Sequence, residues 1–197
     1  RRSTGFRTWS EEDIQRFEDA HPIGSRARLA LALLLYTGQR RSDVVKLGPQ
    51  NVRGNALHLR QQKTGTYLSI PLHSALKAVL DATPTQHMTF LVAQGSKSFT
   101  PPGFTNWFRE CCAKAGIEAG LSPHGLRKAM CRRLAEAGAT TLQIMSITGH
   151  KNVDEIETYV QAANQQGLGR DAMAKIDVQQ VDPITLATVS RSCRPSP

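Results

Sequence analysis

The spacing of apolar and polar residues predicts helices along most of the chain. Ser10 is followed by three acidic residues and then by apolar positions on one face, which is typical of a helix with Ser10 as its N-cap. Residues 29–36 form an almost continuous apolar run that is rich in Leu and Ala, so they predict a buried helix that ends at Gly38. Ser42 is predicted to cap the next helix, which carries further apolar residues.

One region of the chain has the pattern of β-structure instead. Residues 56–61 and 67–72 contain β-favouring or alternating apolar positions and flank the turn Lys-Thr-Gly-Thr, so they predict a hairpin. Downstream of the hairpin, the sequence again has helical signals, as far as residue 176. The predicted helices cover residues 74–82, 100–115, 123–137, 140–148, 153–163 and 169–176. We therefore expect a mainly α fold with a small antiparallel β-sheet, which belongs to the α+β class.

The net charge of the chain indicates what kind of partner it binds. The 197 residues carry a formal net charge of +9, and their isoelectric point is about 9.8. Clustered Lys and Arg displace counterions from a phosphate backbone, so a polyanionic partner is favoured. Charge alone leaves open a merely soluble basic protein, or one that binds a ribosome or a membrane surface.

Other features of the composition narrow the class of protein. No stretch joins about 18 apolar residues without charge, and the polar residues 1–9 do not resemble a secretory signal, so we expect a cytoplasmic protein without a membrane span. The four cysteines have neither metal-ligand spacing nor the density of a disulfide framework. They are expected to be ordinary thiols.

Six residues of chemistry-bearing types stand in four separate islands, which read TGQRRSD, KTG, HGLR and TGH followed by a tyrosine. The six are Arg40, Lys63, His124, Arg127, His150 and Tyr159. Each has an ordinary explanation when taken alone. An arginine after a helix usually makes a surface ion pair, a hairpin lysine is usually solvated, and a tyrosine in an apolar segment is usually part of the core. Their joint order and spacing carry the signal.

In that order, the islands resemble the catalytic motifs of the tyrosine recombinases of the phage integrase family. The tyrosine follows the second histidine by nine residues (159 − 150 = 9), as it does in that family. The resemblance covers roughly residues 9–173. It implies the catalytic-domain fold of these enzymes, site-specific integration or excision of double-stranded DNA, and a homotetramer when assembled on DNA. It also implies accessory DNA-bending or directionality factors, and chemistry without ATP, cofactor or metal.

The resemblance assigns part of the site to binding the phosphodiester. Arg40 and Arg127 would hold its nonbridging oxygens with forked donors and offset the charge of the transition state. His150 would donate a hydrogen bond to the same phosphate. These residues would make an anionic, poorly electrophilic group open to attack.

The remaining residues would carry the bond exchange. Tyr159 would attack phosphorus, but a phenol with a pKa of about 10 is almost fully protonated at neutral pH. His124 is the candidate base or orienting partner. Lys63 would protonate the leaving 5′ oxygen. A 3′-phosphotyrosyl link would result, and attack by a 5′ hydroxyl of a second duplex would rejoin the strands.

At several positions the residue differs from the one that is usual in the family. Gly125 stands where aspartate is common, and Lys128 and Ala129 replace the usual His and Thr or Ser. Asp43 replaces Glu, and Thr148 replaces the usual Leu before Gly-His. None of these is one of the six catalytic positions, so the departures concern packing and hydrogen bonds around the site.

The resemblance also predicts how the chain is organised. Residues 9–176 would form the catalytic domain, and residues 1–8 would be the stump of a linker from an N-terminal DNA-clamping domain. Residues 177–197, with three prolines, would be a tail that is disordered or docks on a neighbouring subunit. Two alternatives stay open: a type IB topoisomerase, and a catalytically silent DNA-binding module.

Overall fold

The computed structural model describes residues 6–179. They form eight α-helices, two short 3₁₀ turns and one three-stranded sheet. The helices are α1 (Glu11–Ala20), α2 (Arg26–Thr37), α3 (Arg41–Val44), α4 (Ser74–Ala82), α5 (Pro101–Lys114), α6 (Pro123–Glu136), α7 (Thr141–Thr148) and α8 (Asp154–Gln179). The strands are β1 (Val52–Arg53), β2 (Ala56–Arg60) and β3 (Tyr67–Pro71). The expected mainly helical α+β fold is confirmed.

The first two helices begin and end as their sequences predict. Ser10 caps α1 in a reciprocal capping box, in which its Oγ accepts from Asp13 N and its own N–H donates to the Asp13 carboxylate, both at 3.1 Å. Helix α2 is buried on nearly all sides and ends at Gly38, which has a left-handed φ of 62°. A residue with a side chain is strained in that conformation, so glycine suits this turn.

The prediction that Ser42 caps a helix is wrong. Helix α3 begins at Arg41, two residues before the start that a Ser42 cap implies, and Arg40 is its N-cap without a side-chain hydrogen bond. The start is set by a tertiary contact, because the buried side chain of Gln39 donates to the carbonyls of Thr37 and Ile147 at 2.9 Å. These bonds fix the direction of the chain as it leaves α2.

The predicted hairpin is confirmed and gains a third strand. The sheet has the order β1-β2-β3 with antiparallel pairs throughout. Leu57 pairs with Ile70, and both side chains are buried, so the register follows the apolar face. Strand β1 has only two residues, which is too short for an alternating pattern to show in the sequence.

The prediction of two separate helices at residues 153–163 and 169–176 is wrong. Both ranges belong to the single helix α8. The helix continues through Gly167 and Gly169. A glycine inside a helix costs only about 1 kcal/mol relative to alanine, so two of them weaken a helix without ending it. Residues 177–179 belong to this helix, whereas the rest of the predicted tail and residues 1–5 of the predicted linker lie outside the described residues.

Two clusters of buried side chains hold the fold together. The larger one surrounds α2 and includes Trp9, Phe17, Phe104 and Phe108, whereas the smaller one joins α6, α7 and α8. No helix within residues 6–179 has the length and apolarity that a membrane span requires. The boundary between the clusters is where most of the predicted catalytic residues meet.

Candidate active site

Five of the six predicted catalytic residues line two neighbouring cavities. The first has a volume of about 280 Å³ and lies between α6, α8 and the segment that follows α7. It is lined by His124, Arg127, Lys128, Cys131, His150, Glu155 and Tyr159. The second, of about 390 Å³, is lined in part by Arg40 and shares His124 with the first. Predicted catalytic residues from three of the four islands therefore converge at one place.

Arg127 is the buried cation at the base of this site. Its residue surface is only 2% exposed, and its Nη1 donates to the carbonyls of Gly38 at 2.7 Å and Thr148 at 2.8 Å. Its Nε and Nη2 are also buried but have no hydrogen-bond partner within the described part of the chain. Burial, and then the charge of Arg40, lower the pKa of Arg127 to about 10, so it stays cationic at neutral pH. A buried cation with free donors is suited to an anionic ligand, because leaving it unpaired is costly.

Arg40 supplies a second cation on the same side. It is half-buried, and its Nη1 is enclosed without a partner among residues 6–179. Its charge helps to lower the pKa of His124 and His150 as well as that of Arg127, which reflects how close these groups lie. Two guanidinium groups with unused donors can grip one phosphate by its nonbridging oxygens.

His150 is held in one tautomer by a hydrogen bond to Thr148. The Nδ1 of His150 lies 2.7 Å from Thr148 Oγ1, and that hydroxyl donates its only proton to the Ile144 carbonyl at 2.8 Å. The imidazole Nδ1–H must therefore be the donor, which leaves the lone pair of a neutral ring on Nε2. Thr148 is one of the departures from the family text, and the usual leucine could not make this bond.

The charge state of His150 follows from its surroundings. Burial first, and then the charges of Arg127 and Arg40, lower its pKa to about 4, so the ring is neutral at pH 7. Its Nε2 faces the carboxylate of Glu155 at 3.6 Å. A neutral His150 can accept a proton at Nε2, and it can donate from Nε2 only after an anion has raised its pKa.

His124 is the other histidine of the site. It is half-buried at the start of α6, and the ring of Phe6 packs against it with a centroid distance of 4.8 Å. Burial, and then the charge of Arg127, lower its pKa, which keeps it neutral at physiological pH. A neutral imidazole beside a phenol can take up its proton.

Tyr159 lies in the second turn of α8 and is half-buried against the smaller core cluster. Burial first, and then the negative potentials of Cys131 and Glu155, raise its pKa to about 12, although Arg127 acts in the opposite direction. At pH 7, only about one molecule in 10⁵ would carry the phenolate. The phenol therefore needs a base or additional positive charge before it can act as a nucleophile.

Lys63 is the one predicted residue that the structure does not bring to either cavity. It is exposed in the turn between β2 and β3. A lysine has a flexible stem of four carbons, so its ammonium group can reach away from its backbone position. The turn itself is anchored, because both residues that precede Lys63 hydrogen-bond to other parts of the fold.

The sequence interpretation missed Cys131 and Glu155 as residues of the site. Both have the helical spacing that would have placed them there: Cys131 follows Arg127 by four residues, and Glu155 precedes Tyr159 by four. Phe6 falls in the predicted linker, yet its ring contacts a site histidine. These residues lie outside the family motif, although Cys131 and Glu155 share helix faces with its residues.

Packing explains why glycine replaces the usual aspartate at position 125. A Cβ at Gly125 would lie 2.2 Å from the carbonyl oxygen of Arg7 and 2.9 Å from Cδ1 of Trp9. The indole of Trp9 also donates to the Ser122 carbonyl at 3.0 Å, which holds the incoming chain against the start of α6. Any larger residue at position 125 would have to displace this segment.

The neutral histidines predict a pH dependence of stability. The pKa of His150 is about 4 in the folded protein, against about 6.5 for an unfolded chain, so the unfolded state binds more protons between these values. The stability due to neutral His150 is fully present above about pH 6.5 and is lost as the pH falls towards 4. We expect urea-unfolding midpoints to fall between about pH 7 and pH 5, and to fall less in His150→Gln than in a control with the exposed His87 changed to Gln. An equal pH dependence in the two variants would contradict the environment described for His150.

Comparison with known proteins agrees with this fold. A family model described as the phage integrase family matches residues 9–166. The tyrosine recombinase XerD of Mycobacterium leprae is 30% identical over 173 residues, covering 78% of this chain and 55% of the relative. The tyrosine recombinase XerC of Lactobacillus delbrueckii subsp. bulgaricus is 26% identical over 165 residues, covering 77% and 56%. The chain thus spans about half the length of the curated relatives it matches.

Solved structures show the same fold. The XerA recombinase superposes with a TM-score of 0.68 at 21% identity, covering 87% of this chain and 66% of that one. The lambda integrase tetramer bound to a Holliday junction superposes with a TM-score of 0.65 at 22% identity, covering 77% and 49%.

Fold and site together define a class of protein: a helical domain with a small sheet that holds a tyrosine beside a buried, cationic pocket. The chain belongs to the phage integrase family.

Proposed function

We propose that this chain is the catalytic domain of a tyrosine site-specific recombinase, which breaks and rejoins DNA strands through a 3′-phosphotyrosyl intermediate. One observation carries the proposal: Tyr159 shares a cavity with Arg127, a buried guanidinium with unused donors. A phenol next to a site built for an anion is the arrangement that attack on a phosphodiester requires. The named relatives are tyrosine recombinases, which supports the same reaction.

The phosphodiester would bind between the two arginines. Arg127 would use its free Nε and Nη2, and Arg40 its free Nη1, on the nonbridging oxygens. A phosphate at this position would also raise the pKa of His150, so that its Nε2 becomes a donor to the same group. The bound anion thereby turns a neutral acceptor into the phosphate contact expected from the family resemblance.

The bond exchange needs two proton transfers. The Tyr159 oxygen forms a bond to phosphorus while its proton passes to a neutral histidine, for which we propose His124, and the bond from phosphorus to the 5′ oxygen breaks. That oxygen takes a proton from Lys63 and leaves as a free hydroxyl. Attack by a 5′ hydroxyl of another duplex reverses these steps and restores the tyrosine. No net change in the number of phosphodiester bonds occurs.

Recombination requires several copies of the protein on two duplexes. We propose a homotetramer assembled on double-stranded DNA, as the lambda integrase structure bound to a Holliday junction illustrates for that protein. We also propose accessory DNA-bending or directionality factors and a place at the bacterial nucleoid. A type IB topoisomerase and a catalytically silent module are less favoured, because the curated relatives are recombinases and all six expected residues are present.

Covalent trapping tests this function with DNA of randomised sequence. The chain is incubated in excess EDTA with a pool of nicked duplexes that contain a randomised segment, and DNA that stays bound in SDS is sequenced. We expect an enriched sequence, joined to protein through a 3′ phosphate. Failure to recover any covalent adduct, both from the pool and from a pool supplemented with Mg²⁺, would contradict the proposed function.

The role of Lys63 can be separated from that of the phosphate-binding residues. Lys63→Ala should slow cleavage of ordinary DNA by about a hundredfold or more, because the leaving alkoxide would lack its proton donor. Replacing the 5′ oxygen by sulfur should restore most of the rate, since a thiol ionises far more readily than an alcohol. The measurement is the rate of adduct formation on both substrates. Equal defects on oxygen and sulfur would remove Lys63 from the acid role.

A further inference from the structure

Gln61 lies next to the turn that carries Lys63 and closes it through its backbone. Its N–H donates to the Thr66 carbonyl, and its own carbonyl accepts from Gly65 N, both at 2.9 Å. The residue is only 1% exposed, although it directly follows the end of β2 and the turn itself is on the surface. A buried, uncharged polar side chain at this place must have its hydrogen bonds satisfied by the protein.

The side-chain amide of Gln61 uses both of its ends. Its Nε2 donates to Gln39 Oε1 at 2.7 Å and to the Thr148 carbonyl at 2.8 Å. Its Oε1 accepts from the hydroxyl of Thr64 at 2.6 Å. Gly149 leaves room for this amide, because a Cβ there would lie 2.6 Å from Gln61 Nε2. The amide therefore joins the turn on one side to the end of α7 on the other.

The Thr148 carbonyl connects this amide to the anion-binding pocket. It accepts from Gln61 Nε2 and from Arg127 Nη1, each at 2.8 Å. One oxygen atom thus fixes the position of the guanidinium that would hold the phosphate and that of the amide that anchors the turn. A shift of either donor would therefore move the shared carbonyl and alter the hydrogen bond of the other donor.

A second anchor is the next residue, Gln62. The N–H of Gln62 donates to the buried carboxylate of Asp43 at 2.8 Å, and its side chain donates to the Ser42 carbonyl. Both residues that precede Lys63 are therefore tied to the segment around Arg40. An exposed turn held at two points has a defined position relative to both arginines.

We propose that Gln61 is a positioning residue for proton donation by Lys63: it holds the Lys63 turn at a fixed distance from the phosphate gripped by Arg127. This inference rests on the proposed function. The role demands an amide, since Gln61 must donate twice and accept once at the same time. Glutamate would lose both donors, and methionine of similar length would lose all three bonds.

A purely structural role would have a different signature. Removing a buried hydrogen bond lowers stability, but a folded variant with a correct turn would cleave both kinds of substrate equally well. A misplaced Lys63 affects only the step in which the leaving group is protonated. The comparison of oxygen and sulfur leaving groups therefore distinguishes positioning from stability.

The experiment uses the DNA sequence recovered by covalent trapping, with oxygen or sulfur at the 5′ position. We expect Gln61→Met to slow cleavage of the oxygen substrate by about a hundredfold, and Thr64→Val by about tenfold, with most of the rate restored on sulfur. Thr64→Ser keeps the hydroxyl and should behave like the unchanged chain. In a Lys63→Ala background, Gln61→Met should add no further oxygen-specific defect, because the positioned group is gone.

Circular dichroism and thermal unfolding show which variants are folded under the assay conditions. Thr64→Val changes a half-buried turn residue and keeps the test decisive if Gln61→Met does not fold. Unchanged rates, or equal losses on oxygen and sulfur in the folded variants, would overturn the positioning role while leaving the proposed function intact. A chain without any covalent adduct would overturn both.

Discussion

Replacing Tyr159 by phenylalanine is expected to abolish covalent attachment to DNA. The change removes only the phenolic oxygen, which is the proposed nucleophile, and keeps the ring that packs against the smaller core cluster. Adduct formation should fall below detection, whereas the affinity for DNA in a gel-shift assay should change little, because the cationic groups remain. Stability should also be nearly unchanged.

A matched control is available on the sheet. Tyr67 is 75% exposed, and its ring lies beside the guanidinium of Arg60. Tyr67→Phe makes the same chemical change outside the cavity and should leave adduct formation intact. An SDS-resistant adduct that persists in Tyr159→Phe at the level of this control would contradict the assignment of the nucleophile.

Replacing Arg127 by glutamine is expected to reduce cleavage by about 10³-fold or more. The variant loses the buried charge and the two free donors that would grip the phosphate, and electrostatic contacts of this kind contribute on that scale. Because both leaving groups require the same phosphate contact, oxygen and sulfur substrates should suffer alike. The measurement is the single-turnover rate of adduct formation.

Arg16→Gln is the control for loss of one positive charge, since Arg16 is exposed on α1. It should reduce the salt-dependent affinity for DNA slightly at most and leave the cleavage rate near that of the unchanged chain. Arg127 also links the Gly38 turn to the end of α7, so the fold of the variant must be checked by circular dichroism. Cleavage within about tenfold of the control by a folded Arg127→Gln protein would show that the pocket does not bind the scissile phosphate.

The motif order predicted most of the residues that line the site. The order of the islands pointed to Arg40, His124, Arg127, His150 and Tyr159, and the structure places all five around two adjoining cavities. Their catalytic roles stay predictions until the variants are measured. Lys63 had the same motif support and yet lies apart, because a turn residue reaches its site through side-chain length and loop position, which a motif does not encode.

Two predictions about the helices were wrong, because local sequence signals do not include the contacts between distant segments. The prediction that Ser42 caps α3 was wrong because Gln39 sets the start of that helix. The side chain of Gln39 donates to the Ile147 carbonyl, which is more than a hundred residues away in the sequence. The predicted break between residues 163 and 169 was wrong, because α8 continues across this stretch. Gly38 ends α2 in a left-handed conformation, whereas Gly167 and Gly169 lie inside α8.

The sequence by itself determined the class of fold, the positions of most helices and the hairpin, and it predicted which residues could carry out chemistry on a phosphate. These features depend on apolar periodicity, capping residues and motif order, all of which act over short stretches of chain. Tertiary structure alone decided the protonation and partners of those residues. It buried Arg127 with free donors, fixed the His150 tautomer through Thr148 and tied the Lys63 turn to the pocket through Gln61. Burial and hydrogen-bond partners arise only when distant segments pack together, so no local pattern specifies them.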